Sequence, residues 1–459
     1  MTQDRIALFE TESIPKAVLK LSIPTVLSSL VMIIYSLADT FYVGMMNDSV
    51  QNAAVTLAAP VLLAFNAVNN LFGVGSSSMI SRALGRKDYK TAYQSSAFGI
   101  YCSLFFGLLF GALSLIFNKE LLTLIGATDV TWAAPEAYMR WTVDLGACPA
   151  ILNVVLAYLV RAEGSSLNAS IGTMSGCVLN IILDPFFVLP QFLGMGAEGA
   201  ALATLLSNTF SVLYFAVFIL VKRGNTYVTI NPKYFVLKKA IILGVFAVGI
   251  PAAIQNLLNV TGMTLLNNIT STYGADAVAS MGIAQRLNHV PINIAMGFTH
   301  GIMPLVGYCF AAGNYSRMKN TVKCTAKVCA SCLVCASLIY YLAAPFLVFN
   351  VHEEARDRIL WNIIFERILS RTSFCIFGLC CSWCIPGNRK GLVFTFVCSS
   401  EKDCIRDSCN LDSQSFLPSI WFGIFTVCCR DLDEYYRSCV LDKDLCAFGK
   451  ARQEDSIIL

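Results

Sequence analysis

Charge is what this chain has least of. Only 14% of its 459 residues are Asp, Glu, Lys or Arg, against 56% hydrophobic residues and a mean hydropathy of +0.64. A soluble domain carries about 25% charged residues, so the deficit excludes one and leaves an integral membrane protein. A cleavable leader is also missing. Met1 to Ser22 is polar and has no apolar core followed by small residues, so the first apolar run itself is expected to direct insertion. No nucleophile–base set, metal cluster or P-loop lysine motif stands out. An enzyme is therefore not expected, and neither is a nucleic-acid partner. Gly73 and Gly75 form a Gly-x-Gly, but no strand precedes them, so they read as helix-packing residues beside Ser76 to Ser78.

Apolar runs fill the space that charge leaves. Nine are each about 20 residues or more and so long enough to span a bilayer: 18–42, 52–79, 93–117, 131–160, 168–192, 197–221, 240–269, 278–311 and 324–350. The loops between them alternate. Arg82, Arg86, Lys87 and Lys90 follow the second run, Arg161 the fourth, Lys222, Arg223, Lys233, Lys238 and Lys239 the sixth, and Arg317, Lys319 and Lys323 the eighth. The first, fifth and seventh loops carry no basic residue, and the third carries only Lys119. Lys and Arg collect on the cytoplasmic side, which predicts a multi-pass chain with a cytoplasmic N-terminus. Leu21-Ser22-Ile23-Pro24 returns as Val248-Gly249-Ile250-Pro251, Gly75 as Gly301, and Ala83-Leu84-Gly85-Arg86 as Ala311-Ala312-Gly313-Asn314, all offset by about 227 residues. Runs one and seven start on the same side, so the repeat is parallel. Transporters are often built this way, with sites near the repeat interface.

Two of the acids inside these runs carry the functional reading. Asp184 lies in the run around Gly172 to Phe192, with no Lys or Arg nearby. An ionised carboxylate in hydrocarbon costs a few kcal/mol or more and marks a functional site by default. Asn180 is one turn earlier on the same face, and Pro185 favours a kink. Asp39 lies near the outer end of run one, with Tyr35 one turn before it. The face that holds Asn180 and Asp184 is read as binding a coupling cation. Structural hydrogen bonding competes with this reading at Asp184, a solvated helix end competes with a functional role at Asp39, and helix packing with one at Thr204. In the later runs Gln255, Asn256, Asn259, Gln285, Asn288 and His289 read mainly as interhelical hydrogen-bonding groups.

Several stretches carry a family likeness: Ala38-Asp39-Thr40-Phe41-Tyr42-Val43-Gly44, Gly75 to Gly85, Leu159-Val160-Arg161-Ala162-Glu163-Gly164, Leu179 to Pro185, and Gly196-Ala197-Glu198-Gly199-Ala200-Ala201-Leu202-Ala203-Thr204. Together they make the first 350 residues resemble the multidrug and toxic compound extrusion (MATE) family, its bacterial drug-efflux branch most. The resemblance implies an all-α polytopic fold of twelve transmembrane helices in two six-helix lobes around an alternately opening cavity. It divides the chain into an N-terminal lobe (1–222), a cytoplasmic linker (223–239), the start of a C-terminal lobe (240–350) and an aberrant tail (351–459). It implies a monomer in the bacterial inner membrane. Its activity would be export of lipophilic or cationic drugs by antiport with Na⁺ or H⁺, and no other cofactor. Residue by residue, it implies a cation site of Tyr35, Asp39, Asn180, Asp184 and Thr204. Gln255, Asn256 and Met263 are substrate-binding candidates, with Phe65 and Met32 on the cavity wall. Some members place an acid in helix seven; here Gln255 and Asn256 stand there instead. A related branch flips lipid-linked precursors, for which mid-span Lys and Arg would be expected. None is read in the first six runs.

The tail departs from all of this. Nineteen cysteines are present, eight in the first 350 residues and eleven in the last 109. The early ones sit singly in apolar runs, as small buried hydrophobes do. Cys381-Ser-Trp-Cys384 suggests a zinc knuckle or a redox pair, but no second C-x-x-C follows. A shifted reading frame is the stronger expectation. Codons for Cys384 to Gly391, read one nucleotide later, can encode Ala-Phe-Gln-Ala-Ile-Gly-Lys-Gly, which resembles the family's tenth-helix region. The shift would fall between about Asn350 and Trp361, leave the last three helices garbled, and make this chain non-functional as it stands.

Overall fold

A computed structural model describes residues 3–46, 49–124, 132–271 and 275–351. The cysteine-rich tail, with its expected frame change, lies outside the described residues. The described residues form thirteen α-helices and no strand. Met1–Ile269 and His289–Ser331 belong to one compact unit. A second holds, among the described residues, those of Thr270–Asn288 and residues 332–351.

Helix α1 (Gln3–Glu10) leads by a short turn into α2 (Ile14–Gly44). Pro15 stands in the first turn of α2, where its missing N–H costs nothing. The second expected run is α3 (Ser49–Val68) and α4 (Gly75–Gly85), joined by the π-helical segment Asn69–Val74. Helix α5 (Tyr89–Ile116) starts at Asp88, whose carboxylate accepts from the Thr91 N–H at 3.1 Å and its hydroxyl at 2.6 Å. After the short α6 (Asn118–Leu124), the fourth run divides into α7 (Ala133–Met139), the π-helical Arg140–Asp144 and α8 (Ala147–Ala162). Then come α9 (Ser166–Val188), α10 (Ala197–Val221), α11 (Lys239–Ser271), α12 (Ala275–Ala311) and α13 (Tyr315–Val351).

The nine runs expected from hydropathy thus correspond in order to nine helical stretches, two of them broken. By length and composition, six described helices can cross a membrane, and the α7–α8 pair, bent by 44°, makes a seventh. The bend falls where a π-turn inserts a residue beside Gly146. A methyl on Gly146 would stand 2.5 Å from the Thr142 carbonyl. One expectation needs correcting here: Arg140 lies inside the fourth run, exposed at its break. A further correction concerns the end of run five. Helix α9 stops at Val188, because Leu189 to Met195 turn back onto the helix end and the Met195 N–H bonds the Phe187 carbonyl at 2.8 Å. Pro185 lies inside α9, one turn before its end.

Residues 223–239 pack against the start of α5 and the turn after α8. Glu163, fully buried, accepts from the Thr226 hydroxyl at 2.8 Å and the Tyr227 N–H at 2.9 Å. Ser96 accepts from the Thr229 N–H, and the Tyr101 hydroxyl donates to the Ile230 carbonyl at 2.6 Å. Tyr227 stacks on Tyr89, and Tyr234 on Tyr93. Burial and its aromatic neighbours push the Tyr227 hydroxyl up to about 12.

The repeat is visible as paired contacts. Ser22 donates to the Phe298 carbonyl at 3.3 Å. Its counterpart Gly249 packs on the carbonyl of Leu71, the counterpart of Phe298. Val18 clusters with Ile302, and the positions 227 residues away from them, Val245 and Gly75, are in contact too. All four pairs of positions differ by 227. A methyl on Gly75 would stand 2.5 Å from the Val245 carbonyl, and one on Gly301 2.6 Å from the Ser22 Cα. Only glycine lets these backbones approach so closely. The result is a tight seam between α2 and α12 and between α4 and α11, near the ends that carry the basic loops.

Candidate cation site in the first six helices

Helix α9 supplies the centre. Asp184 is fully buried and Asn180 is 1% exposed. The i, i+4 spacing stacks them on the face that α9 turns to α10. With its amide nitrogen toward Asp184, Asn180 donates to Oδ2 at 2.8 Å and Oδ1 at 3.2 Å. Its oxygen then accepts from the Thr204 N–H at 3.1 Å and hydroxyl at 3.3 Å. The reverse orientation would set amide oxygen against carboxylate oxygen, so the network fixes the amide. Thr204, a packing hydroxyl by the sequence alone, is therefore part of the site.

Helix α2 brings the second carboxylate. It packs along α9, pinned by the Ser28 and Thr173 hydroxyls at 2.6 Å. Asp39, half-buried, is the charged group that acts on Asp184 among the described residues. Tyr35 lies beside both Asp39 and Thr204. All five residues expected at the site come together. Their oxygens make a hard donor set suited to Na⁺ or to a shared proton.

A sixth residue escaped the sequence reading. Tyr138, 8% exposed, lies within electrostatic reach of both Asp39 and Asp184 and beside Thr142. It sits on α7, just before the π-helical segment. The signal that could have found it is the trio Glu136, Arg140 and Asp144 inside a run otherwise apolar. The Trp141 Nε1 donates to Glu198 Oε1 at 2.8 Å, tying that segment to the start of α10.

The remaining candidates are less gathered. Gln255 and Asn256 are half-buried on α11. Met263 falls within α11, but its side chain lies outside the described residues, as do those of Asn259, Gln285 and Asn288. Phe65 is not a wall residue. It is 4% exposed and packed edge-on against Phe110, 5.5 Å between centroids, in the core between α3 and α5. Met32 is exposed on α2. No group of three or more His, Cys, Asp or Glu side chains is placed to hold a metal among the described residues.

A multi-pass helical membrane protein with a buried, oxygen-rich carboxylate site between α2, α9 and α10 is the class that fold and geometry define. The chain belongs to the MatE family, whose model matches residues 24–186 and 251–388. It is 35% identical over 325 residues to the multidrug export protein MepA of Staphylococcus haemolyticus, covering 70% of each chain. To MepA of Staphylococcus aureus it is 34% identical over 324 residues, again 70% of each. Among solved structures it resembles an outward-facing multidrug-resistance MATE transporter of the MOP superfamily, with TM-score 0.78, 27% identity and coverage of 86% of this chain and 88% of that one. A MATE structure in the straight conformation matches with TM-score 0.78 and 27% identity over 87% and 88%.

Proposed function

We propose that this chain is built as a secondary multidrug exporter of a bacterial inner membrane, monomeric, with its N-terminus in the cytoplasm. It moves lipophilic or cationic drugs outward against an inward flow of Na⁺ or H⁺. The observation that carries the reading is Asp184, fully buried and bonded through Asn180 to Thr204, with the Asp39 charge in reach. Holding two carboxylates in a low-dielectric site is costly unless a cation or proton joins them. Occupancy by the coupling ion would draw Asp39 and Asp184 together. The outer half of α2 would then repack on α9, and the outer cavity would release the drug. Gln255, Asn256 and Met263 on α11 are assigned to the drug path. The N-terminal lobe takes 1–222, the linker 223–239 and the second lobe begins at 240. An enzymatic role finds no support in the relatives' names, which are those of exporters.

The test is Asp184→Asn in a chain whose frame has been corrected, reconstituted in liposomes. Ion-driven ethidium export should fall to the protein-free baseline while membrane insertion persists. Export at the wild-type rate would remove Asp184 from the mechanism.

A further inference from the structure

Helix α1 lies outside the transport machinery just described, yet two of its side chains are deeply buried. Leu8 is 4% exposed and Phe9 1%. The Phe9 ring stacks on Tyr308 of α12, 5.0 Å between centroids at 26°. Its far edge rests on Gly164, in the turn after α8, where a methyl would stand 2.8 Å from the ring. Gly164 also has φ +85, so a larger residue is excluded twice over. Glu10 Oε1 accepts from the Tyr308 hydroxyl at 2.7 Å. Arg317, at the start of α13, donates to the Leu8 carbonyl at 3.2 Å and the Glu12 carbonyl at 2.7 Å. One short helix is thus fastened on one side to the α8–α9 turn, in the first repeat, and on the other to α12 and α13, in the second. It sits where the seam ends, for the Tyr308 backbone also packs against Gly85 at the end of α4. That end carries the basic loops, and so faces the cytoplasm.

We infer that residues 3–12 form a cytoplasmic strap that holds the seam between the two repeats shut and must let go for the protein to open inward. Phe9 is the bolt, buried between groups from both repeats. The Tyr308–Glu10 and Arg317 bonds hold the strap in register. Opening the seam parts Gly164 from Tyr308, so Phe9 can stay on one of them only. The strap therefore weights the equilibrium toward the state closed to the cytoplasm. The inference rests on the exporter reading only for the need to open inward.

Cys309 offers a native reporter. It is 1% exposed, adjacent to Tyr308 and beside Arg317. In inside-out vesicles, maleimide labelling of Cys309, read peptide by peptide in a mass spectrometer, should rise about tenfold in Phe9→Ala, the scale of a lost aromatic pair. Labelling of Cys148, at the start of α8 away from the strap, should not change. If Phe9→Ala labels both cysteines rapidly it has misfolded, and Glu10→Ala then decides. That variant changes an exposed side chain and removes one strap bond, and faster labelling confined to Cys309 is expected. Cys309 labelling at the wild-type rate in Glu10→Ala and in any folded Phe9→Ala overturns the strap. Because labelling needs neither drug nor coupling ion, it can fail while the exporter reading stands, and the reverse.

Discussion

Asp184 and Asp88 show one side-chain type under opposite demands. At Asp184 the carboxylate sits in hydrocarbon with no exposed surface, and Asn180 supplies two of its hydrogen bonds. At Asp88 the carboxylate is exposed at a helix start, and the Thr91 hydroxyl, then its N–H, hold it below the usual aspartate range. Such a lowered carboxyl stabilises the fold fully above its unfolded pKa of about 4, and the contribution is lost as pH falls through the folded value. Asp88→Ala should lower stability at pH 7 by about 0.5 kcal/mol, the small end for an exposed cap. The gap in melting temperature should close on acidification, whereas Asp88→Asn, also a good cap, should stay near wild type at pH 7. Thermal melting in detergent checks both. The sequence made Asp184 and Asn180 legible because an acid in an apolar run is costly and helical spacing names its neighbour. Thr204 entered only through the family likeness, since one hydroxyl in a helix carries no signal of its own. Tyr138 stayed hidden because its place at the site depends on the break that follows it.

Two elements of the fold were out of reach of hydropathy. Asn69–Val74 and Arg140–Asp144 widen into π-turns inside runs that read as continuous, because a window average registers apolarity and not helical pitch. The repeat was legible, and the structure gives it a physical use. Counterparts 227 apart meet in the same way on both sides of the seam. Close approaches on the two sides of the seam should then carry similar costs. Gly249→Val and Gly301→Val each press a branched side chain onto a neighbouring backbone and should each cost about 1–3 kcal/mol. At Gly262, also on α11, nothing lies within 4 Å of an added methyl, and Gly262→Ala should be neutral or slightly stabilising. Melting temperatures of the three variants test this. A seam variant as stable as wild type would mean the close approach is not what holds α2 to α12 and α4 to α11.

At the scale of the whole chain, the proposed frame change sets the limit. Matches to MepA cover 70% of this chain and 70% of those proteins, so almost a third of each lies outside the match. The composition turns cysteine-rich after residue 351, and eleven cysteines crowd the last 109 residues. No uninterrupted apolar run of spanning length remains in that tail, as the proposed frame change would leave it. Meanwhile Leu243, Ile250, Ile254, Leu257 and Leu258 on α11 stay exposed, an apolar stripe that lipid alone or further helices could cover. The cation site needs none of the tail, because every residue in it lies before residue 205. Ion occupancy and transport should therefore separate. The chain as written should retain protection of α9 and α10 against hydrogen exchange that responds to Na⁺ or to pH, and should export no drug from proteoliposomes. A chain with the frame restored between codons 350 and 361 should show the same ion response and export ethidium as well. Export by the unrestored chain would refute the frame change, and loss of the ion response in both would refute the site.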